Sequence, residues 1–180
     1  MVLWHKNSHS YDKDFCTVTL AFFNRYPNPY STHVLSIDTL AREVDSHGQL
    51  RSTRLIKKTG RLPRWVRPFL GRISQSWILE DSRVDARHQT LHAYTRNLDH
   101  TQIIQVEEYT TYRFDGATGA TRVASRVKFS SGFHAGIRQR IEQWSMAKFG
   151  ENIHTSRMGM AYVIARLEDV SSAARQRPRM

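Results

Sequence analysis

Cysteine is almost absent from this 180-residue chain: Cys16 stands alone, so no internal disulfide forms and a multi-cysteine zinc site is excluded. Long apolar runs are missing as well. No stretch approaches the roughly 20 residues that span a bilayer, and the opening Met1-Val2-Leu3-Trp4-His5-Lys6 lacks the apolar core of a signal peptide. Asp12 and Asp14 near the start, with Arg25 only late, also fit an Arg-rich, acid-poor presequence poorly. The expectation is a chain neither secreted nor membrane-spanning.

Acid is in short supply. Lys and Arg number 27 against 16 Asp and Glu, a formal charge of +11 with a pI near 10.3. Such a surface draws polyanions, and charge alone does not choose among nucleic acid, anionic bilayers and acidic proteins. Hydrophobic residues at 39% are enough for a packed core, and 180 residues make one domain more comfortably than two.

Period-two runs of β-branched and aromatic residues predict strands at roughly 2–9, 33–41, 49–59, 73–84, 88–97, 103–114 and 121–132. Ser46-His47-Gly48 and Asp115-Gly116-Ala117-Thr118-Gly119 are short enough to join antiparallel neighbours, so one curved meander is expected. Between the first two strands, Asp12 to Arg25 sets Phe15, Val18 and Phe22 at helical spacing, and Pro27 stops it. From His134 to about Asp169 the pattern is helical without a proline. The fold class is therefore α+β: a seven-stranded curved antiparallel sheet wrapped on a long C-terminal helix, with a short N-terminal helix. Residues 1–170 form the domain, and 171–180 are expected to be a flexible basic tail.

On the long helix the stripe Ile137, Ile141, Trp144 continues at the same spacing into Lys148, Asn152 and Thr155. The stripe turns polar midway. A lysine facing a core needs a partner, since an unpaired buried charge costs on the order of several kcal/mol, and an anionic headgroup would supply one. The alternative is a helix that projects past the sheet and leaves Lys148 solvated. Arg25, His33 and Lys58 are further candidates, each near the end of an element beside apolar residues.

The segment 61–72 carries four arginines and no acid, and two prolines block a strand there. Leu62, Trp65 and Phe69 offer an apolar face beside Arg64 and Arg67, a combination suited to a membrane surface. An Ω-loop plugging the core is the competing reading.

Catalysis finds no support. The chain has no Gly-x-Ser-x-Gly elbow, Walker loop, His-Glu-x-x-His or dinucleotide-binding glycine pattern. His5 and His9, and likewise His88 and His92, sit four apart on predicted strands, roughly 13 Å at the usual rise and too far to share a metal. Glu107 and Glu108 are adjacent and point to opposite faces. No catalytic residue, metal or cofactor is expected. A basic nucleic-acid-binding module is the rival class, but no reading motif accompanies the charge.

The stretches Ala21-Phe22-Phe23-Asn24-Arg25-Tyr26-Pro27-Asn28-Pro29-Tyr30-Ser31, Arg96-Asn97-Leu98-Asp99-His100-Thr101, Val106-Glu107-Glu108-Tyr109-Thr110-Thr111-Tyr112, Ser125-Arg126-Val127-Lys128-Phe129-Ser130-Ser131-Gly132-Phe133 and Ser156-Arg157-Met158-Gly159-Met160 resemble the PRELI family of mitochondrial intermembrane-space lipid-transfer proteins. The resemblance runs to about residue 170 and is strongest to fungal carriers of phosphatidic acid. It implies a fold like that of START and phosphatidylinositol-transfer domains, with an acyl-chain cavity and a lid. It implies transfer of one phosphatidic acid per chain from outer to inner mitochondrial membrane for cardiolipin synthesis, with phosphatidylserine as the alternative cargo. Headgroup contacts map onto Arg25, His33, Lys58, Lys148 and Asn152, and the lid onto Leu62, Trp65 and Phe69. At one further headgroup position a fungal member carries lysine where this chain has Thr155. The resemblance also implies a heterodimer with a small twin-cysteine-motif helical hairpin, and peripheral contact with the anionic inner membrane.

Overall fold

The computed structural model describes residues 2–59, 75–101, 104–132 and 138–175. Seven strands are present: β1 (Val2–Tyr11), β2 (Val34–Val44), β3 (Leu50–Thr59), β4 (Gln75–Asp85), β5 (Thr90–Asn97), β6 (Ile104–Asp115) and β7 (Ala120–Ser131). Among the described residues two helices accompany them, α1 (Phe15–Phe23) and α2 (Arg138–Arg175). The strands form one antiparallel sheet in the order β1-β7-β6-β5-β4-β3-β2. Strands β2 to β7 meander as expected, but β1 does not lie beside β2. It pairs with β7, with Val2 opposite Ser130 and Tyr11 opposite Thr121, so α1 and the loop after it carry the chain from one edge of the sheet to the other.

The expected turns are in place. Gly48 (φ +76°) closes the β2–β3 hairpin and Gly119 (φ +68°) the β6–β7 hairpin, both in the left-handed region where glycine carries no Cβ penalty. His88, expected at the start of a strand, lies instead in the turn before β5, where its backbone and ring both bond Asp85.

Strand alternation sets the inner face. Ser52, Arg54 and Ile56 of β3, Glu80, Ser82 and Val84 of β4, and Val123, Val127 and Phe129 of β7 are all buried. Helix α1 starts later than its acidic residues suggested, because Asp14 caps it: Oδ1 accepts the Thr17 N–H at 2.9 Å. Phe15, Val18 and Phe22 then point inward at the predicted spacing and are buried.

Helix α2 spans 38 residues, about 57 Å at the usual rise, and runs past the expected end near Asp169 to Arg175. Met160, Val163 and Ile164 pack with α1 and with Val84, Leu91, Tyr112 and Val123 to form the core, near the turns that join β4 to β5 and β6 to β7. Each such side chain contributes about 1.5–3 kcal/mol on burial. Gly159 lets the post-α1 loop close on the helix, since a Cβ there would stand 2.9 Å from Asn28 Nδ2. The core fills one end of the space between sheet and helix, and the other end is open.

Candidate ligand-binding cavity

A cavity of about 330 Å³ occupies that open end, between the inner faces of β1, β6 and β7 and the part of α2 from Trp144 to Arg157. Val106, Val127, Phe129, Trp144 and Ile153 give it apolar walls, while His33, Lys58, Lys148 and Asn152 bring polar groups to the same space. Lys58 sits at the end of β3 opposite Val34, and the His33 carbonyl accepts the Thr59 N–H at 2.7 Å, which holds the post-α1 loop beside that strand end. Four of the five headgroup candidates therefore line one cavity although they are 119 residues apart at the extremes (152 − 33). Thr155 lines it too.

The polar stripe on α2 thus faces a cavity and does not run out past the sheet. Lys148 is still partly open to solvent and bonds Glu151 at 2.6 Å, a pair one helical turn long at the surface. Among these groups the local field is positive. Burial, and then the charges of Lys58 and Lys148, hold the His33 imidazole below its ordinary value. Burial alone would push the Tyr26 hydroxyl up, but Lys58 and Arg25 outweigh it and leave Tyr26 below the usual tyrosine range. A cavity that eases ionisation of a buried phenol favours an anion.

Arg25 stands apart from the other four. It lines a smaller adjoining space of about 90 Å³, and its guanidinium is committed to Glu80, which also receives Arg54 Nε at 2.8 Å. Arg54 and Glu80 face each other in the β3–β4 register, both on the inner face. Burial raises the Glu80 carboxyl, yet the two guanidiniums outweigh it and hold it ionised below the usual range. Burial likewise opposes the charge on Arg25, and Glu80 more than restores it. Arg25 also lies over the Phe22 ring, 4.2 Å from its centroid. It is a buried cation in the adjoining space, shared with a carboxylate.

Sequence reasoning misses Asn7, His9 and Tyr26, which also line the cavity. For the two β1 residues a usable signal exists: His5, Asn7, His9 and Tyr11 alternate on one face of that strand. Arg157 Nη2 reaches across to Asn7 Oδ1 at 2.6 Å and the Ser8 carbonyl at 3.3 Å. Burial, and then the Arg157 charge, pull His9 from 6.5 down to about 4. Between those values the unfolded chain binds a proton that the folded chain does not, so this contribution to stability is complete above pH 6.5 and is lost as pH falls toward 4. Urea midpoints should fall between pH 7 and pH 5, and His9→Phe should flatten part of that slope, leaving the portion with the same sign that belongs to His33.

A larger depression, about 620 Å³, lies on the sheet's outer face among Arg51, Asp81, Arg83, His92, Tyr94 and Arg126. It is an open trough of charged and polar groups. Glu107 points to that outer face, where it binds Lys128 at 2.8 Å and the Tyr94 hydroxyl at 2.8 Å, while Glu108 lines the cavity. The adjacent pair does face opposite ways. The arginine-rich segment with Leu62, Arg64, Trp65, Arg67 and Phe69, and Ile137 of the helical stripe, lie outside the described residues. No described helix is long and apolar enough to cross a membrane.

Two solved structures share this layout. The crystal structure of TTHA0849 from Thermus thermophilus superposes with a TM-score of 0.59 at 13% identity, covering 92% of this chain and 99% of that one. The crystal structure of Ara h 8.0201 gives 0.56 at 12%, covering 92% and 99%. At such identities the likeness is one of fold, a sheet gripping a long C-terminal helix. Sequence relatives say more. "Protein UPS1, mitochondrial" of Saccharomyces cerevisiae is 60% identical over 169 residues, which is 94% of this chain and 97% of that protein. "PRELI domain-containing protein 1, mitochondrial" of Homo sapiens is 36% identical over 153 residues, 84% of this chain and 70% of that protein. The PRELI-like family model matches residues 16–170, from α1 through strands β2 to β7 and along the cavity-lining length of α2. On that match and those identities, the chain belongs to the PRELI-like family.

Proposed function

We propose that this protein is a phospholipid carrier that withdraws phosphatidic acid from one membrane, holds it in the cavity between sheet and α2, and delivers it to another without catalysis. The observation that carries the reading is the convergence of His33, Lys58, Lys148 and Asn152 on a space with apolar walls, in a positive field. A compact phosphate monoester suits that arrangement. It is anionic, it accepts several charge-assisted hydrogen bonds, and it carries no amine to repel the lysines. Acyl chains gain from the apolar walls about what they lose on leaving the bilayer, near 0.8 kcal/mol per CH₂, so uptake and release stay close to balance. A volume of about 330 Å³ takes a glycerophosphate and short chain segments. Two full chains call for sheet and α2 to part further.

The family and its mitochondrially named relatives support a mitochondrial setting. We place the carrier in the intermembrane space, peripheral on the inner membrane and supplying cardiolipin synthesis, as a heterodimer with a small helical hairpin of twin-cysteine type. The net charge of +11 suits contact with an anionic bilayer. The test is transfer of labelled lipid from donor to acceptor vesicles by purified protein, with and without that partner. Phosphatidic acid is expected to move faster than phosphatidylserine, and phosphatidylcholine not at all. Equal movement of all three, or of none, contradicts the reading, and a preference for phosphatidylserine would reassign the cargo.

A further inference from the structure

Several large apolar side chains stay exposed together at one end of the sheet. Antiparallel pairing sets Val2 opposite Ser130, Gln105 opposite Ser130, Arg96 opposite Glu107, Ile78 opposite Asn97, Trp77 opposite Lys57 and Val34 opposite Lys58. The starts of β1, β2, β4 and β6 and the ends of β3, β5 and β7 therefore share that end. Val2, Trp4, Leu35, Trp77 and Leu98 are all exposed there. It lies away from the packed core, on the side that holds the cavity. An exposed apolar rim of this kind marks a surface that something covers.

Trp77 and Leu98 form its centre, and hydrogen bonds tie both down. Asp99 Oδ2 accepts the Trp77 N–H at 3.0 Å, and its Oδ1 accepts the Ser76 hydroxyl at 2.7 Å. The Leu98 N–H donates to the Trp77 carbonyl at 2.9 Å. The Asn97 amide donates to the Asp99 and Ile104 carbonyls at 2.7 and 3.0 Å. A backbone held in this way presents the two side chains outward, with Trp77 37% and Leu98 42% exposed.

Charge says what covers the rim. Lys57 Nζ lies 5.2 Å from the Trp77 ring centroid, and Lys6 and Arg96 are exposed at the same end. The nearby acids are engaged: Asp99 with Ser76 and the Trp77 N–H, and Glu107 with Lys128 and Tyr94. Asp38, an exposed acid of β2, stands further along the strands, opposite Leu55. Tryptophan and leucine beside lysine are the side chains that settle at the headgroup boundary of an anionic bilayer.

We propose that the rim of Trp4, Leu35, Trp77 and Leu98, with Lys57, is a docking surface for an anionic bilayer. Docked there, the protein sets the cavity-bearing end of its sheet against the lipid. The choice of a bilayer as occupant rests on the carrier reading, to which the rim adds a short-range anchor that salt does not screen.

The experiment uses full-length protein and phosphatidylcholine vesicles with and without cardiolipin. Cys16 is exposed, so a Cys16→Ser background allows a single polarity-sensitive label elsewhere. The label at Leu98→Cys should shift to the blue when cardiolipin vesicles are added. The same label at Val44→Cys, beside the β2–β3 turn at the opposite end, should not. In flotation, Trp77→Ala with Leu98→Ser should weaken binding about tenfold, and the loss should persist at raised salt. Leu40→Ser with Val44→Ser removes exposed apolar side chains from the far half of β2 and should float as wild type does. Leu98→Ser alone keeps the Trp77–Lys57 contact and should show part of the loss, which tests the idea even if Trp77→Ala disturbs the strand. Equal shifts at Leu98 and Val44, or flotation of the double variant at wild-type strength, overturn the inference. If that protein still moves phosphatidic acid between vesicles, the carrier reading stands. Docking as expected with no lipid moved upholds the surface and overturns the carrier reading.

Discussion

Glu80→Gln should be among the most damaging single substitutions in the chain, lowering the free energy of unfolding by about 3–5 kcal/mol. The carboxylate is buried and receives two guanidiniums, Arg25 from the end of α1 and Arg54 from the neighbouring strand. Removing its charge leaves both cations facing each other in a poorly solvated space, with one weak acceptor between them. The substitution changes almost no volume, so cavity formation does not confuse the result. Urea unfolding followed by far-ultraviolet circular dichroism gives the number. A loss below about 1 kcal/mol would mean that water reaches the site and screens the cations, and the picture of a sealed triad would fail. Replacing Arg25, Arg54 and Glu80 together with apolar residues should cost less than the single change, since a desolvated ionic cluster contributes little net stability while a broken one leaves stranded charge.

Lys58→Ala with Lys148→Ala should abolish phosphatidic acid transfer while leaving the fold nearly untouched. Each lysine removed takes away a charge-assisted contact worth about 1.5–3 kcal/mol, or roughly ten- to a hundredfold in affinity, and the two lie on different elements. The stability side is small because Lys148 is partly exposed and, among the described residues, pairs with Glu151 at the surface. Transfer rate and thermal midpoint, measured on the same samples, separate the two effects. Lost transfer with a lowered midpoint would make the lysines structural.

The two sites differ in how far the sequence reveals them. The strand and helix inventory follows from period and turn chemistry, and the polar turn in the α2 stripe at Lys148 points to the cavity without any knowledge of contacts. Neither signal reports pairing between distant segments. That β1 closes on β7, and that the post-α1 loop crosses the sheet, depend on which edge of the meander is free. Glu80 and Arg54 meet only through the β3–β4 register, and the segment joining those strands is too long for turn rules to fix that register. Arg25 enters as a headgroup candidate through the family resemblance, and nothing local in the sequence names the carboxylate it binds. His9 and Arg157 come together across 148 positions (157 − 9) of chain for the same reason.

A carrier of this kind holds one phospholipid in its cavity. Native mass spectrometry of the protein purified from cells and kept out of detergent measures this directly, because a retained ligand appears as a discrete mass shift that fragmentation assigns to a headgroup. One phospholipid per chain, enriched in phosphatidic acid and missing from the Lys58→Ala, Lys148→Ala variant, is the predicted result. Folded protein at its bare mass, which also gains no lipid after incubation with phosphatidic acid vesicles, would contradict it.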